Sequence, residues 1–443
     1  MSIVKFLRLL RSCILWVGCG AGVPLLAQEL AAPESPVVWD LQTCLAYAKE
    51  NNIQINTLRL NRKSTEQQYL LSRAALYPDL YGNASQAVNY GRNTGVNLSG
   101  TYGINSSWTL YNGGFLRLDI KQRDLAVQSA NLSILEEENN VALQITSAYL
   151  NILLDKESII YSQDLVNTSE QLLEQARQRY AAGGIARRDL VQFEAQLAND
   201  RYTLIASQNA QRQDMLVLKQ LLQLPTEVPF DVAKPDTLGY EAAIPSLLEV
   251  QQHALENWPE VKNSEVGIAI AELDLEKARA GYRPIVSVAG SIASSYTNNP
   301  TFGASVGQFN DNFYQQVRFL MSVPLFTRRL NKTNVELAKI SIDQARLLLK
   351  SSELLLSQRV EQAYINALNA QSQYQAANEQ LQYIREVYRI SNEELRIGTV
   401  NMFEFYQQRN LYVQNLQLYL QAKYSAALSV GIYDFYLGVP LKL

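Results

Sequence analysis

The chain has one histidine, three cysteines and four methionines among 443 residues. Two of the cysteines, Cys13 and Cys19, lie in an amino-terminal segment with the marks of a leader, which leaves Cys44 alone in the body of the chain. One thiol makes no intrachain disulfide and one imidazole, His253, makes no zinc site or hydrolytic triad. No glycine-rich phosphate loop is present, so a nucleotide site is not indicated, and no basic cluster points to nucleic acid. No cofactor, metal or catalytic set is expected, because the titratable groups are dispersed carboxylates. Past the leader, no apolar run approaches the roughly eighteen residues of a membrane-spanning helix. A membrane segment, if there is one, must be built from strands.

Lys5, Arg8 and Arg11, the apolar run Cys13 to Val17 and the small-residue end at Ala27 read as a secretory signal peptide over residues 1–27. Cys19 follows Trp16-Val17-Gly18, an imperfect match to a lipoprotein acylation box. Removing residues 1–27 takes away three positive charges and no negative ones, so the net charge moves from −3 to −6. The mature chain is mildly acidic.

The remainder is repetitive. At an offset of 215 residues, Gly183 matches Gly398, Asp189 matches Glu404, Leu190 matches Phe405 and Ala148-Tyr149-Leu150 matches Ala363-Tyr364-Ile365. Upstream the offset is 206, pairing Ala48, Glu50, Asn51 and Pro78 with Ala254, Glu256, Asn257 and Pro284. The length change falls in a Gly/Asn/Ser-rich stretch between Pro78 and Leu110, as expected of an exposed loop tip. The first repeat therefore covers 28–223 and the second 246–443, separated by a proline-bearing linker, 224–245.

Each repeat opens with a helical stretch, 41–77 or 246–283, that stops before proline. Period-two segments follow. Val286, Val288, Gly290, Ile292 and Tyr296 alternate with small or polar residues, as do Val317, Phe319, Met321 and Val323 with Gln316, Arg318, Leu320 and Ser322. In the first repeat, Tyr102, Ile104, Trp108 and Leu110 share a face. The hairpins are placed at about 80–111 and 285–326, with strands as long as the roughly 9–11 residues that a tilted transmembrane strand needs. Period alone fits a half-buried soluble hairpin equally well; the terminal Tyr90, Tyr102, Trp108, Tyr296 and Tyr314 favour a membrane girdle. Four strands cannot close a barrel, so a membrane reading requires several chains around one axis, and three would give twelve strands.

Helices of nearly seventy residues without proline are expected over 115–182 and 329–397, each on the order of 100 Å long. Ala363, Ala367, Ala370, Tyr374, Ala377, Leu381, Ile384 and Tyr388 follow the four-three spacing of a coiled coil. Glycine tips at 183–186 and 398–401 precede return helices. A periplasmic coiled-coil scaffold or adaptor would explain the helices, but not the strand hairpins before each.

This arrangement resembles the TolC-type outer membrane factor family over essentially the whole mature chain. Its specific marks are the strand exit Leu110-Tyr111-Asn112-Gly113-Gly114, which matches the family's L-[FY]-[DN]-G-G, and the G-x₅-[DE] tips at Gly183 and Gly398. The second strand exit, Phe326-Thr327-Arg328-Arg329, departs from the pattern, and Ala186 and Asn401 replace the usual Ser or Thr of the tips. The resemblance implies a membrane α+β protein: a homotrimeric twelve-stranded outer-membrane barrel continuous with a twelve-helix periplasmic coiled-coil tunnel. It would be a passive duct in contact with outer-membrane lipid, docking a periplasmic adaptor and, through it, an inner-membrane pump. The adaptor would meet the tips, Gly183, Gly184, Ile185 and Ala186 with Gly398, Thr399, Val400 and Asn401. Glu404 matches the family's aspartate at the tunnel mouth, while Gln407 stands where a second acid is usual. Arg187 and Arg188, beside Asp189, are the cations available to pair with Glu404 across a closed mouth.

Overall fold

The computed structural model describes residues 37–92, 95–225, 227–235, 243–298 and 306–441. The segment 1–27, expected to be a signal peptide, lies outside the described residues, as do 226 and 236–242 of the linker.

The stretch expected as one helix over 41–77 is two. Helix α1, Leu41–Asn51, starts at Asp40, whose carboxylate accepts the Thr43 amide at 2.9 Å. Asn52 then turns extended and caps α2, Ile53–Ala74, by accepting from the amides of Gln54 and Ile55. Asparagine does this because its side-chain oxygen replaces the carbonyl that the first turn lacks. The second repeat breaks at the same place, Trp258, between α5 (Leu247–Asn257) and α6 (Pro259–Ala280). Pro259 at the first helical position supplies a preset φ where no amide is needed, and it is the visible signal for the break.

Between these pairs, part of the linker forms a strand. Strand β1, Val37–Trp39, runs parallel to β4, Phe230–Val232. The buried Tyr149 fastens both, its hydroxyl 2.5 Å from the Ala233 carbonyl and 3.3 Å from that of Trp39.

The main sheet is β2 (Tyr81–Gly91), β3 (Gly95–Asn112), β5 (Ile285–Asn298) and β6 (Tyr314–Ser322), antiparallel throughout and in that order. A short helix α7, Val306–Asp311, precedes β6 and sets the Phe309 ring 5.3 Å from that of Tyr102. Register puts Ile104 opposite Ile292 and Trp108 opposite Val288, which faces Phe319. One face is thus largely apolar, and Val317, Phe319 and Met321 are exposed on it. The other face carries Asn83, Ser85, Thr101, Asn105, Ser107, Ser287, Ser291 and Gln316. A bulge at Leu110 puts Tyr111, rather than Leu110, in row with Val286 and Met321. The extra residue of a bulge shifts the alternation by one.

Two helices leave the sheet end: α3, Phe115–Ala181, of 67 residues and α8, Leu330–Ile397, of 68. At 1.5 Å per residue each spans about 100 Å. α3 follows Gly113 and Gly114, both left-handed, with the Gly113 carbonyl held by Arg283 at 2.8 Å. A Cβ on Gly113 would come within 2.6 Å of the Ala280 carbonyl, so that position takes glycine for space as well as for φ. The second repeat makes the same left-handed pair with Arg328 (φ 48°) and Arg329 (φ 70°). The turn survives without its glycines, at a cost of about 1–2 kcal/mol per residue.

The return helices are α4, Arg187–Leu222, and α9, Met402–Tyr436. α4 ends where α2 begins, and Gln223 accepts the Ile53 amide at 2.8 Å. Likewise the end of α9 meets the start of α6, where Trp258 packs on Phe435 and Tyr436. The helices lie side by side as α2, α3, α6, α8 toward the sheet and as α4, α3, α9, α8 away from it. Along α8, Ala363, Ala367, Ala370 and Leu381 are buried, while Tyr374, Ala377, Ile384 and Tyr388 are half-buried. None of the described helices is long and apolar enough to cross a membrane.

Candidate functional site

The hairpin ends farthest from the sheet bring together the residues singled out in the sequence. α3 stops because Gly183 turns left-handed (φ 75°), which lets the Gly184 amide reach back to the Arg179 carbonyl at 2.7 Å and the Gly183 amide to Tyr180 at 3.0 Å. α8 stops the same way at Gly398 (φ 83°), with Thr399 bonded to Glu394 and Gly398 to Leu395. Both are Schellman endings, in which the carbonyls orphaned by the last turn find donors. The restarts differ. Asn401 accepts the Glu404 amide at 2.9 Å, whereas Ala186 has no side chain to offer and caps α4 through its carbonyl alone.

The tips are not uniformly exposed. Gly183, Gly184, Ala186, Gly398, Thr399 and Asn401 face outward, but Ile185 and Val400 are half-buried against a cluster containing Leu173, Ala176, Phe193, Leu395 and Phe405. A β-branched apolar residue in a four-residue turn buries its side chain under the hairpin it closes, as in a hydrophobic staple. Glu404 is exposed, and among the described residues its carboxylate has no ion pair; Arg188 lies 3.5 Å from Asp189 instead. Within one chain, then, Arg187 and Arg188 do not reach Glu404.

Two further contacts join the hairpins. Arg179 donates to the Arg396 carbonyl at 3.1 Å and to that of Leu395 at 3.5 Å, placing a cation on the carboxyl end of α8, where the helix dipole favours it. Arg179 also lines a cavity of about 120 Å³ shared with Gln175, Ile185 and Asn392.

Higher up, Arg409 of α9 is 1% exposed and grips Asp200 of α4, 5% exposed, through Nη2 at 2.6 Å and Nη1 at 3.3 Å. Ser169 of α3 accepts from the same guanidinium at 2.8 Å, and Gln196 donates to Asp200 at 2.9 Å. Burial pushes the neighbouring Tyr388 and Tyr406 hydroxyls above the usual phenol range, so both stay neutral. Sequence reasoning passed over this cluster although a signal was there. Asp200 occupies the apolar slot in Phe193, Leu197, Asp200, Leu204, and Arg409 the slot in Phe405, Arg409, Tyr412, Leu416, both at four-three-four spacing. A charge in a core stripe needs a buried partner.

No described group of His, Cys, Asp and Glu residues could hold a metal. The far-end tips, the continuous shaft and the two-faced sheet can be compared with known proteins as a unit. A sequence description of the family "Outer membrane efflux protein" matches residues 45–223 and 250–430. The chain belongs to this family. Among relatives of this efflux family, the probable efflux pump outer membrane protein TtgC of Pseudomonas putida is 23% identical over 386 residues, 84% of this chain and 77% of that protein. The fold is similar to a crystal structure of CusC, with a TM-score of 0.78 at 17% identity over 94% of this chain and 100% of the other. It is also similar to the open state of the Neisseria gonorrhoeae MtrE outer membrane channel, with a TM-score of 0.76 at 19% identity, covering 91% and 89% of the two chains. As an outer membrane efflux protein, the chain resides in the outer membrane and serves transport.

Proposed function

We propose that the chain is the outer-membrane duct of a tripartite efflux or type I secretion system and works as a homotrimer. The observation that carries this is the sheet with two free edges. Among the described residues β2 and β6 have no partner on their outer sides, and every residue of β6 is exposed. An unpaired edge cannot stand in lipid, since each orphaned amide or carbonyl costs several kcal/mol there. β6 runs opposite to β2, so a second copy can pair with it and keep the antiparallel alternation; three copies close twelve strands. The helical layer is likewise open on both flanks, with Leu347, Leu348, Leu354 and Leu355 exposed along α8 and Leu60, Leu70 and Leu71 along α2. Neighbouring copies would cover these leucines and roll the layer into a periplasmic tunnel. The apolar face of the sheet then meets lipid and the polar face lines the water path.

The tips lie at the end of the shaft remote from the membrane, where a periplasmic adaptor would dock and link the duct to an inner-membrane pump. Three copies of the unpaired Glu404, less than two turns inside the tip, would ring the entrance with carboxylate and favour cations. The test is the mass of the detergent-solubilised particle together with its conductance in a planar bilayer. A trimer that gives stepwise currents is expected, with Glu404→Gln lowering cation selectivity and Asp189→Asn changing it little. A conducting monomer, or an unaltered Glu404→Gln channel, refutes the closure or the ring respectively.

A further inference from the structure

The four strands of the sheet contain a single charged side chain, Arg318 in β6. Alternation puts it on the polar face. Arg318 is opposite Ala289, which is opposite Ser107, and two residues along the strand Gln316 is opposite Ser291, itself opposite Asn105. The other face at this level carries Val317, Phe319, Val288 and Trp108. On that face a guanidinium would be costly in mid-membrane; in the duct reading its own face is turned to water. Among the described residues the polar partner of its guanidinium is neutral, Gln316 Oε1 at 3.1 Å. The acid in the same row, Asp79, is already committed to Ser107, accepting from its amide at 2.6 Å and its hydroxyl at 3.0 Å.

We propose that Arg318, in three copies, forms a cationic ring in the sheet-lined part of the duct that draws in carboxylate- and phosphate-bearing solutes. The inference rests on the trimeric-duct reading above. Elsewhere on that face the strands carry only uncharged side chains, chiefly Asn, Ser, Thr and Gln with Tyr81, Tyr314 and Leu320. Arg318 is thus the one charge the strands contribute, set against the Asp79 carboxylate just before β2. Guanidinium suits this class of solute because its planar fork matches two oxygens of a carboxylate or phosphate. The ring is opposite in sign to the carboxylates expected at the periplasmic entrance. The duct would thereby pass from a cation-favouring mouth to an anion-favouring exit.

Reversal potentials of the full-length channel across a potassium chloride gradient test this, with inorganic triphosphate added on the side of the sheet. Arg318→Gln is expected to raise the cation-to-anion permeability ratio by about twofold at 0.1 M salt, a change of the size that surface potentials near kT produce. The difference should vanish at 1 M, where the screening length falls from about 10 Å to about 3 Å. Triphosphate should block the wild type and Arg318→Lys and spare Arg318→Gln. Gln316→Glu, which keeps Arg318 but pairs it, should reproduce the effect of Arg318→Gln and serves if that variant fails to insert. Unchanged permeability ratios and unchanged block in both variants would overturn the ring, as they would if Asp79 of the next copy already neutralised Arg318. Wild-type protein that gives no channels would refute the duct itself.

Discussion

Replacing Arg409 with methionine is the most informative single change in the shaft. The substitution keeps an unbranched chain of similar length but removes the fork that neutralises Asp200, leaving that carboxylate buried with Ser169 and Gln196 as its remaining donors. Breaking a buried pair by deleting one partner costs about 3–5 kcal/mol; because two donors remain, the lower end, about 3 kcal/mol, applies here. With an unfolding entropy of about 2.1 cal/mol/K per residue, the 443-residue chain has about 0.9 kcal/mol/K, so each kcal/mol moves the melting midpoint by about 1 °C. Arg409→Met should therefore lower the Tm of the detergent-solubilised protein by about 3 °C at fixed scan rate. Asp200→Leu alone, which leaves the guanidinium unpaired, should cost at least as much. The double variant should recover to within about 1 °C of the parent, because an apolar pair of similar volume meets no desolvation penalty. The coupling read from this cycle, about 5 kcal/mol or more if the double variant recovers as expected, is the quantity at stake. Strictly additive effects, or single variants that shift Tm by less than 1 °C, would show that the two charges are solvated in the assembled protein and that the reasoning from burial fails.

Two other predictions concern stability. Asp155 of α3 is pushed up to about 7 by burial and by the carboxylate of Asp214 on α4. Its folded pKa lies above its ordinary value of 3.8, so the folded chain holds the proton more tightly and stability falls as pH rises from about 4 to about 7. Asp155→Asn should leave Tm unchanged near pH 4, raise it at pH 8 and flatten the profile between; a rise of equal size at both pH values would refute the assignment. At the second strand exit, Arg328→Gly and Arg329→Gly relieve left-handed strain. Offset by the added freedom of the unfolded chain, each should stabilise by at most about 1 kcal/mol, measured as Tm or as resistance of the assembly to detergent, whereas Gly113→Ala should destabilise because its Cβ has no room.

Much of this architecture is local in origin and so was legible. Gly183 and Gly398 end helices because an amide reaching back five residues needs a left-handed residue next to it, and that requirement is written in two adjacent positions. The alternation in Val317, Phe319 and Met321 against Gln316 and Arg318 needs only the period of a strand. The long four-three stripe of alanines in α8 needs only the period of a helix. The breaks at Asn52 and Trp258 are local too, and Pro259 announces one of them, but helical composition on both sides hides the other until the capping bonds of Asn52 are seen.

What tertiary structure decided are the pairings between distant segments. Arg409 and Asp200 stand 209 residues apart and Arg179 and Arg396 217 apart; nothing in either neighbourhood says which partner its charge will meet. The left-handed turn at Arg328 and Arg329 is a second case, since no local preference favours it there, and it is imposed by the need to aim α8 along the shaft beside α6 and α9. Periodicity of the chain determined which faces are apolar. Which of those faces meets another helix, which meets Asp200 and which meets no part of the chain depended on packing, because burial is a property of the neighbours and not of the residue.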